Sequence, residues 1–147
     1  MQQHIDAISA IPASMHDAWN NGDADAFAAD FAEDADFVAF EGTVLKGRAA
    51  IVAFHQPLFD TVLKGSRLVG DETRFARIVE PGWGVVHHRT SVVMPGDDTP
   101  LPSRDSMPLV LVRHQHDRWE VVSSQNSRIV SLEGQQALDE LAAAARG

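Results

Sequence analysis

The chain is expected to form one α+β domain, a cone-shaped, curved antiparallel sheet wrapped around N-terminal helices and a central helix. Three observations carry this expectation. Apolar residues recur at helical spacing through the first part of the chain, as at Ile5, Ile8, Pro12, Met15 and Trp19. The stretch 47–62, GRAAIVAFHQPLFDTV, is amphipathic when plotted at about 100° per residue. From residue 67 onward, long strand-like segments alternate with Pro-, Gly- and Asp-containing turns. Helices first and strands afterwards is the order of an α+β fold with its helices on one face of the sheet. A sheet that curls around a helix leaves a cone-shaped pocket, which suits a small apolar ligand with a few convergent polar groups.

Taken in order, residues 3–20 are expected to form a first helix, bent at Pro12 because proline removes a donor and crowds the preceding turn. Asn20-Asn21-Gly22 stops it, and Asp23 caps a short helix over DADAFAADF. After Glu33-Asp34 the period changes to two, with Asp36, Val38 and Phe40 on one strand face and Phe37 and Ala39 on the other. Glu41-Gly42 turns the chain into a short strand over 44–46. The central helix follows, with Pro57 on its outer side and Lys64-Gly65 ending it. Strands are expected over 67–78, 84–94, 107–115 and 119–129, and a terminal helix over 132–146.

Bulk properties limit the function. A chain of 147 residues makes one domain, 1–147, with a good core. It has no cysteine, which excludes disulfides, thiol catalysis and cysteine–zinc sites. No apolar run approaches the ~20 residues of a membrane helix, and the first residues lack a basic segment followed by a long apolar one. A cytoplasmic location is therefore expected. Net charge is −9, and residues 1–45 carry nine carboxylates without a Lys or Arg. Such a front repels nucleic acid and anionic membranes, so neither is an expected partner. It reads as a solvated helical face, or alternatively as a docking surface for a basic partner.

The central helix carries the functional question. Arg48, Ile51, Val52, His55, Leu58, Phe59 and Val62 fall within roughly a third of the circumference, the width of a core-facing stripe. A guanidinium cannot lose its proton there, and an unpaired buried charge costs several kcal/mol. Arg48 must pair with a carboxylate, or share a polar cavity with His55.

The combination of AWNNGDADAFAADFAEDADFV, GTVLKGRAAIVAFHQPLF with KGSRL, and RWEVVSSQNSRI resembles the nuclear transport factor 2-like superfamily, and within it the SgcJ/EcaC-type (SnoaL-like) group. The resemblance spans roughly residues 5–129 and implies a cone-like, cystatin-like α+β barrel, commonly a homodimer through the outer sheet surface. The superfamily includes ketosteroid isomerases, SnoaL-like polyketide cyclases and scytalone dehydratases, so fold alone does not settle function. The group's Gly-Arg pair maps to Gly47 and Arg48, its helix histidine to His55, and its terminal Gln-Asn-Thr to Gln125, Asn126 and Ser127, with Ser replacing Thr. The isomerase-type aspartate base has no clear counterpart on the late strands.

The expected catalytic set is His55, Arg48 and Asp36. His55 would act as general acid or base, and Arg48, about 10 Å away along the helix, would hold a carbonyl, enolate or carboxylate oxygen. Gln125 and Asn126 would orient the ligand, and Phe40 and Trp119 would wall the pocket. The alternative is an Arg48–Asp36 ion pair with His55 as a satisfied interior histidine. One of His87 and His88 must face the concave side of the sheet, and His87 is assigned to the ligand site, although a single bulge would exchange the two. His114-x-His116-Asp117 could chelate a metal but sits at a hairpin end without further ligands, so no metal is expected. Gly82-Trp83-Gly84 is too short for a dinucleotide loop and precedes no helix. No cofactor is expected.

Together these readings describe a small-molecule pocket protein: a cofactor-free isomerase, cyclase or dehydratase acting on an apolar, polyketide-like carbonyl metabolite through His55 and Arg48. The alternatives are a non-catalytic binding protein and a dimeric interaction domain.

Overall fold

Pro12 divides the first helical stretch in the computed structural model, which describes the backbone of residues 1–147 and all side chains except those of Asp71 and Glu72. Helix α1 spans Gln2–Ser9 and α2 spans Ile11–Asn20, with the break at Ala10 rather than a bend at Pro12. Proline has no N–H for the Ile8 carbonyl and its ring crowds that oxygen, so one helix cannot run through. Pro12 sits instead in the first turn of α2, where no donor is needed. Asp23 caps α3 (Ala24–Ala28) by accepting the Ala26 N–H at 3.0 Å, as expected.

Strand β1 (Phe31–Val38) starts earlier than the period change predicts. Phe31 and Ala32 are both buried and Glu33 and Asp34 both exposed, because a register shift between Phe31 and Asp36 interrupts the alternation. Strand β2 (Val44–Lys46) pairs back onto β1. Gly47 then turns the chain at φ +87°, where a Cβ would stand 3.4 Å from the Glu33 carbonyl, and opens α4 (Arg48–Asp60). Ile51, His55 and Phe59 are the buried face of α4, and Pro57 lies on its exposed side.

The remaining strands are β3 (Arg67–Glu80), β4 (Trp83–Val93), β5 (Leu109–Gln115) and β6 (Arg118–Gln125). The last ends four residues before its expected limit. Ser127 and Asp105 carbonyls still accept the Met107 and Ile129 N–H groups there, so the tail follows the sheet without joining it. His116 (φ 54°) and Asp117 (φ 60°) form the two-residue β5–β6 turn, both in the left-handed region such a hairpin requires.

The six strands lie in the order β2-β1-β6-β5-β4-β3. The expectation of an antiparallel sheet is corrected at one place, since β1 and β6 run parallel. No hairpin joins these two strands, which lie far apart along the chain, so connection geometry did not dictate their relative direction. The result is a curved, unclosed mixed sheet with helices α1 to α4 on its concave side. Among the described residues no helix is long and apolar enough to cross a membrane. Helix α5 (Leu132–Arg146), capped by Ser131, has the expected bounds but buries none of its residues.

Gly84 seats α1 on the sheet. A Cβ there would stand 3.0 Å from Ile8 Cδ1 and 3.2 Å from both the Arg77 carbonyl and Val112 Cγ2. Gly84→Ala should therefore overpack the fully buried Ile8 and cost about 1–3 kcal/mol, read as a lower urea midpoint at unchanged slope.

Candidate functional site

Strand alternation turns Val86, His88, Thr90 and Val92 of β4 toward the helices, all of them buried. With α2, α4, β1 and the end of β6, His88, Thr90 and Val92 border a cavity of about 320 Å³. Its walls are mostly apolar and aromatic, including Met15, Trp19, Phe27, Phe37, Phe54 and Leu58. Three imidazoles border it: His16 from α2, His55 from α4 and His88 from β4. Ser124 and Asn126 add polar groups from the last strand and its extension, and Phe40, Glu41, Arg104 and Arg128 stand where the cavity meets solvent.

His55 lies within an aromatic cluster, with ring centroids 4.7 Å from Phe27 and 5.2 Å from Phe37. Its Nδ1 donates to the Ile51 carbonyl at 2.7 Å. The neutral ring therefore carries its lone pair on Nε2. Burial pushes its pKa below the ordinary histidine value, and the Ile51 hydrogen bond partly offsets this.

His88 is only 3% exposed, and neither ring nitrogen has a hydrogen-bond partner among the described residues. Its ring lies 6.2 Å from that of His16. Burial, then the neighbouring His16 and His87, lower its pKa to about 4, so His88 is neutral at pH 7. Asn126 Oδ1 is likewise buried without a partner.

The other expected site residues divide sharply. His55, Asn126 and Phe40 border the cavity. Arg48 does not: its Nε and Nη2 donate to the Phe31 carbonyl at 2.9 and 2.6 Å, so a carbonyl, neither a carboxylate nor a ligand, receives the helix-start charge. Asp36 accepts from Ser123 Oγ at 2.5 Å and stands 3.9 Å from Lys46; it does not border the cavity, and among the described residues no ion pair joins it to Arg48. His87 is corrected to His88, since His87 turns to the opposite face and stacks on Phe75 with centroids 4.2 Å apart. Gln125 is exposed, one residue out of phase with the inward Ser124 and Asn126. Trp119 donates to His4 Nδ1 at 3.2 Å and lines a separate hollow with His114 and Glu80. Among the described residues no three His, Asp or Glu side chains gather as a metal site would require.

Sequence reasoning missed Arg104, Arg128, Ser124 and Thr90. The signal for two of them was present: a period of two in SSQNSR places Ser124, Asn126 and Arg128 on one side.

Residues 13–131 of the chain match the family model of the SnoaL-like domain. The chain belongs to the SnoaL-like domain family. A domain of unknown function with a cystatin-like fold from Nostoc punctiforme is 44% identical, with a TM-score of 0.89 over 94% of this chain and 85% of that one. A ketosteroid isomerase-like protein from Erwinia carotovora atroseptica shares the fold at 18% identity, with a TM-score of 0.71 over 89% of this chain and 100% of that one. An NTF2-like protein from Novosphingobium aromaticivorans does so at 21% identity, with a TM-score of 0.72 over 89% and 86%. No functionally curated protein matches this SnoaL-like chain.

His88 makes the stability of this SnoaL-like domain depend on pH. The unfolded imidazole titrates near 6.5 and the folded one at about 4. Between those values the unfolded chain binds more protons, so stability falls as pH drops from 6.5 toward 4, by about 3 kcal/mol in all. His55 acts in the same direction. Carboxylates with lowered pKa, such as Asp105 and Glu120, add their losses below about 4.5. Denaturation at stepped pH should show this slope between pH 6.5 and 5, and His88→Leu should remove most of it.

Proposed function

We propose that this protein binds a small apolar carbonyl compound in the cavity and acts on it without a cofactor, as an isomerase, cyclase or dehydratase. The observation that carries the reading is His88. A buried imidazole with two unpartnered nitrogens costs stability unless something pairs with it, and a ligand oxygen in the adjoining cavity would do so. The volume lies at the small end of ligand pockets, roughly 300–1,000 Å³.

The two histidines differ in what they can do. Base strength falls with pKa, so the strongly depressed His88 is a poor proton acceptor and a good neutral donor to a carbonyl or enolate oxygen. His55, with Nδ1 held by Ile51, offers Nε2 as the acceptor. Nε2 takes a proton from the carbon beside the carbonyl, the enolate oxygen is held by the His88 N–H, and His55 returns the proton elsewhere. Arg48, engaged by Phe31, has no part in this scheme. Non-catalytic binding is the second reading. It is favoured by the acids around the cavity: among the described residues the only one bordering it is Glu41, at the exposed edge.

Placement in the SgcJ/EcaC-type group rests on the motifs around Gly47-Arg48, His55 and Gln125-Asn126. The convex sheet face, where Phe75 and Leu109 are 51% and 37% exposed on either side of His87, supports a homodimer. Sedimentation should give twice the chain mass, and Leu109→Glu should return it to one.

The enolisable ketone 2-tetralone in D₂O tests the chemistry. Exchange of its α-protons, followed by NMR, should exceed the buffer rate by about 10²-fold or more and be lost in His55→Leu. Binding of the ketone without accelerated exchange would establish the non-catalytic reading instead.

A further inference from the structure

The edge of the cavity carries donors that the protein itself leaves unused. Arg128 Nη1 donates to the Arg104 carbonyl at 2.8 Å and to Ser106 Oγ at 3.1 Å. Its guanidinium carbon lies 3.8 Å from the centre of the Phe40 ring, which fixes the plane of the group. The Nε–H and both Nη2–H groups make no hydrogen bond among the described residues. That edge of a guanidinium matches a carboxylate with two parallel bonds.

The local charge is unbalanced in the same sense. Arg104 and Arg128 face one carboxylate, Glu41. The Thr43 side chain first, then backbone N–H groups of its own turn and the Arg128 charge, hold the exposed Glu41 carboxyl below its ordinary pKa, so a single solvated carboxylate faces the two guanidinium groups. Arg128 stays cationic although burial and Arg104 oppose its charge.

Deeper in the cavity the unmet need is of another kind. Asn126 Oδ1, two residues before Arg128 and on the same side of the chain, is a buried acceptor without a donor. Trp19, Phe27, Phe37 and Phe54 line the same cavity with aromatic surface.

We infer that the occupant of this cavity is a hydroxylated apolar carboxylate, its carboxylate held at the entrance by the free edge of Arg128 with Arg104, its ring body among the aromatic walls, and its hydroxyl given to Asn126 Oδ1. The inference rests on the pocket reading above and adds the class of ligand. A neutral ketone would pair with His88 and leave both the entrance charge and Asn126 Oδ1 unanswered; the carboxylate and the hydroxyl answer those two.

Calorimetric titration with 2-naphthoate, 6-hydroxy-2-naphthoate and 2-naphthol tests it at low ionic strength. The naphthoate should bind at least about tenfold more tightly than the naphthol. The hydroxynaphthoate should bind more tightly than the naphthoate by about threefold or more. Arg128→Gln should abolish the preference for carboxylate while leaving the naphthol affinity within about twofold, and Arg104→Gln should weaken it without disturbing the Arg128 bonds to backbone and Ser106. Asn126→Leu should remove only the gain from the hydroxyl. Circular dichroism on each variant separates lost binding from lost fold. Equal affinity for naphthol and naphthoate in the wild type, or a carboxylate preference that survives both arginine substitutions, overturns the inference and leaves the pocket reading standing. Binding of none of the three by the folded wild type overturns both.

Discussion

The alternation of side chains along β4 governs what this protein encloses. Residues of one parity pack under the helices and those of the other face outward, so the chain had to put either His87 or His88 inside. It buries His88, and with it a ring whose nitrogens find no partner among the described residues. The rest of the site is arranged around that choice: His55 arrives from α4, Asn126 from the extension of β6, and the aromatic walls from β1 and the helices. A protein interior ordinarily pairs its buried polar groups. Here His88 and Asn126 Oδ1 depart from that rule among the described residues, and both border the same mostly apolar cavity.

Much of the fold was legible in the sequence because helices and hairpins are written locally. The cap at Asp23, the start of the central helix at Gly47-Arg48 and the bounds of α5 each follow from a few neighbouring residues. What was not legible is non-local. The parallel pairing of β1 with β6 depends on where two distant segments meet, and no turn between them records the direction. The split at Ala10 was partly legible: Pro12 announced a disturbance, but the position of the break depends on which turn of the helix can do without a donor.

The candidate site was half legible for a related reason. His55 was found because helical spacing places it on the buried face. Arg48 shared that face yet points its charge at a carbonyl, since periodicity reports which side of a helix a residue occupies and not what a long side chain reaches. His88 could be read only by comparing neighbours: the exposed Arg89 takes the position that a parity shift would have buried. Arg128 lies where regular strand has already ended, so only the continued alternation past Gln125 pointed to it.

The border of the sheet has a consequence of its own. The longest strand, β3, is also the outermost, and its partnership with β4 slips register three times along its length. At the opposite border stands β2, with three residues. A fourteen-residue ribbon left straight and flat would invite further ribbons to line up against it. Repeated kinks deny a newcomer any long run of matched donors and acceptors, and Asn20 at the end of α2 already takes the Leu68 N–H and carbonyl on that border.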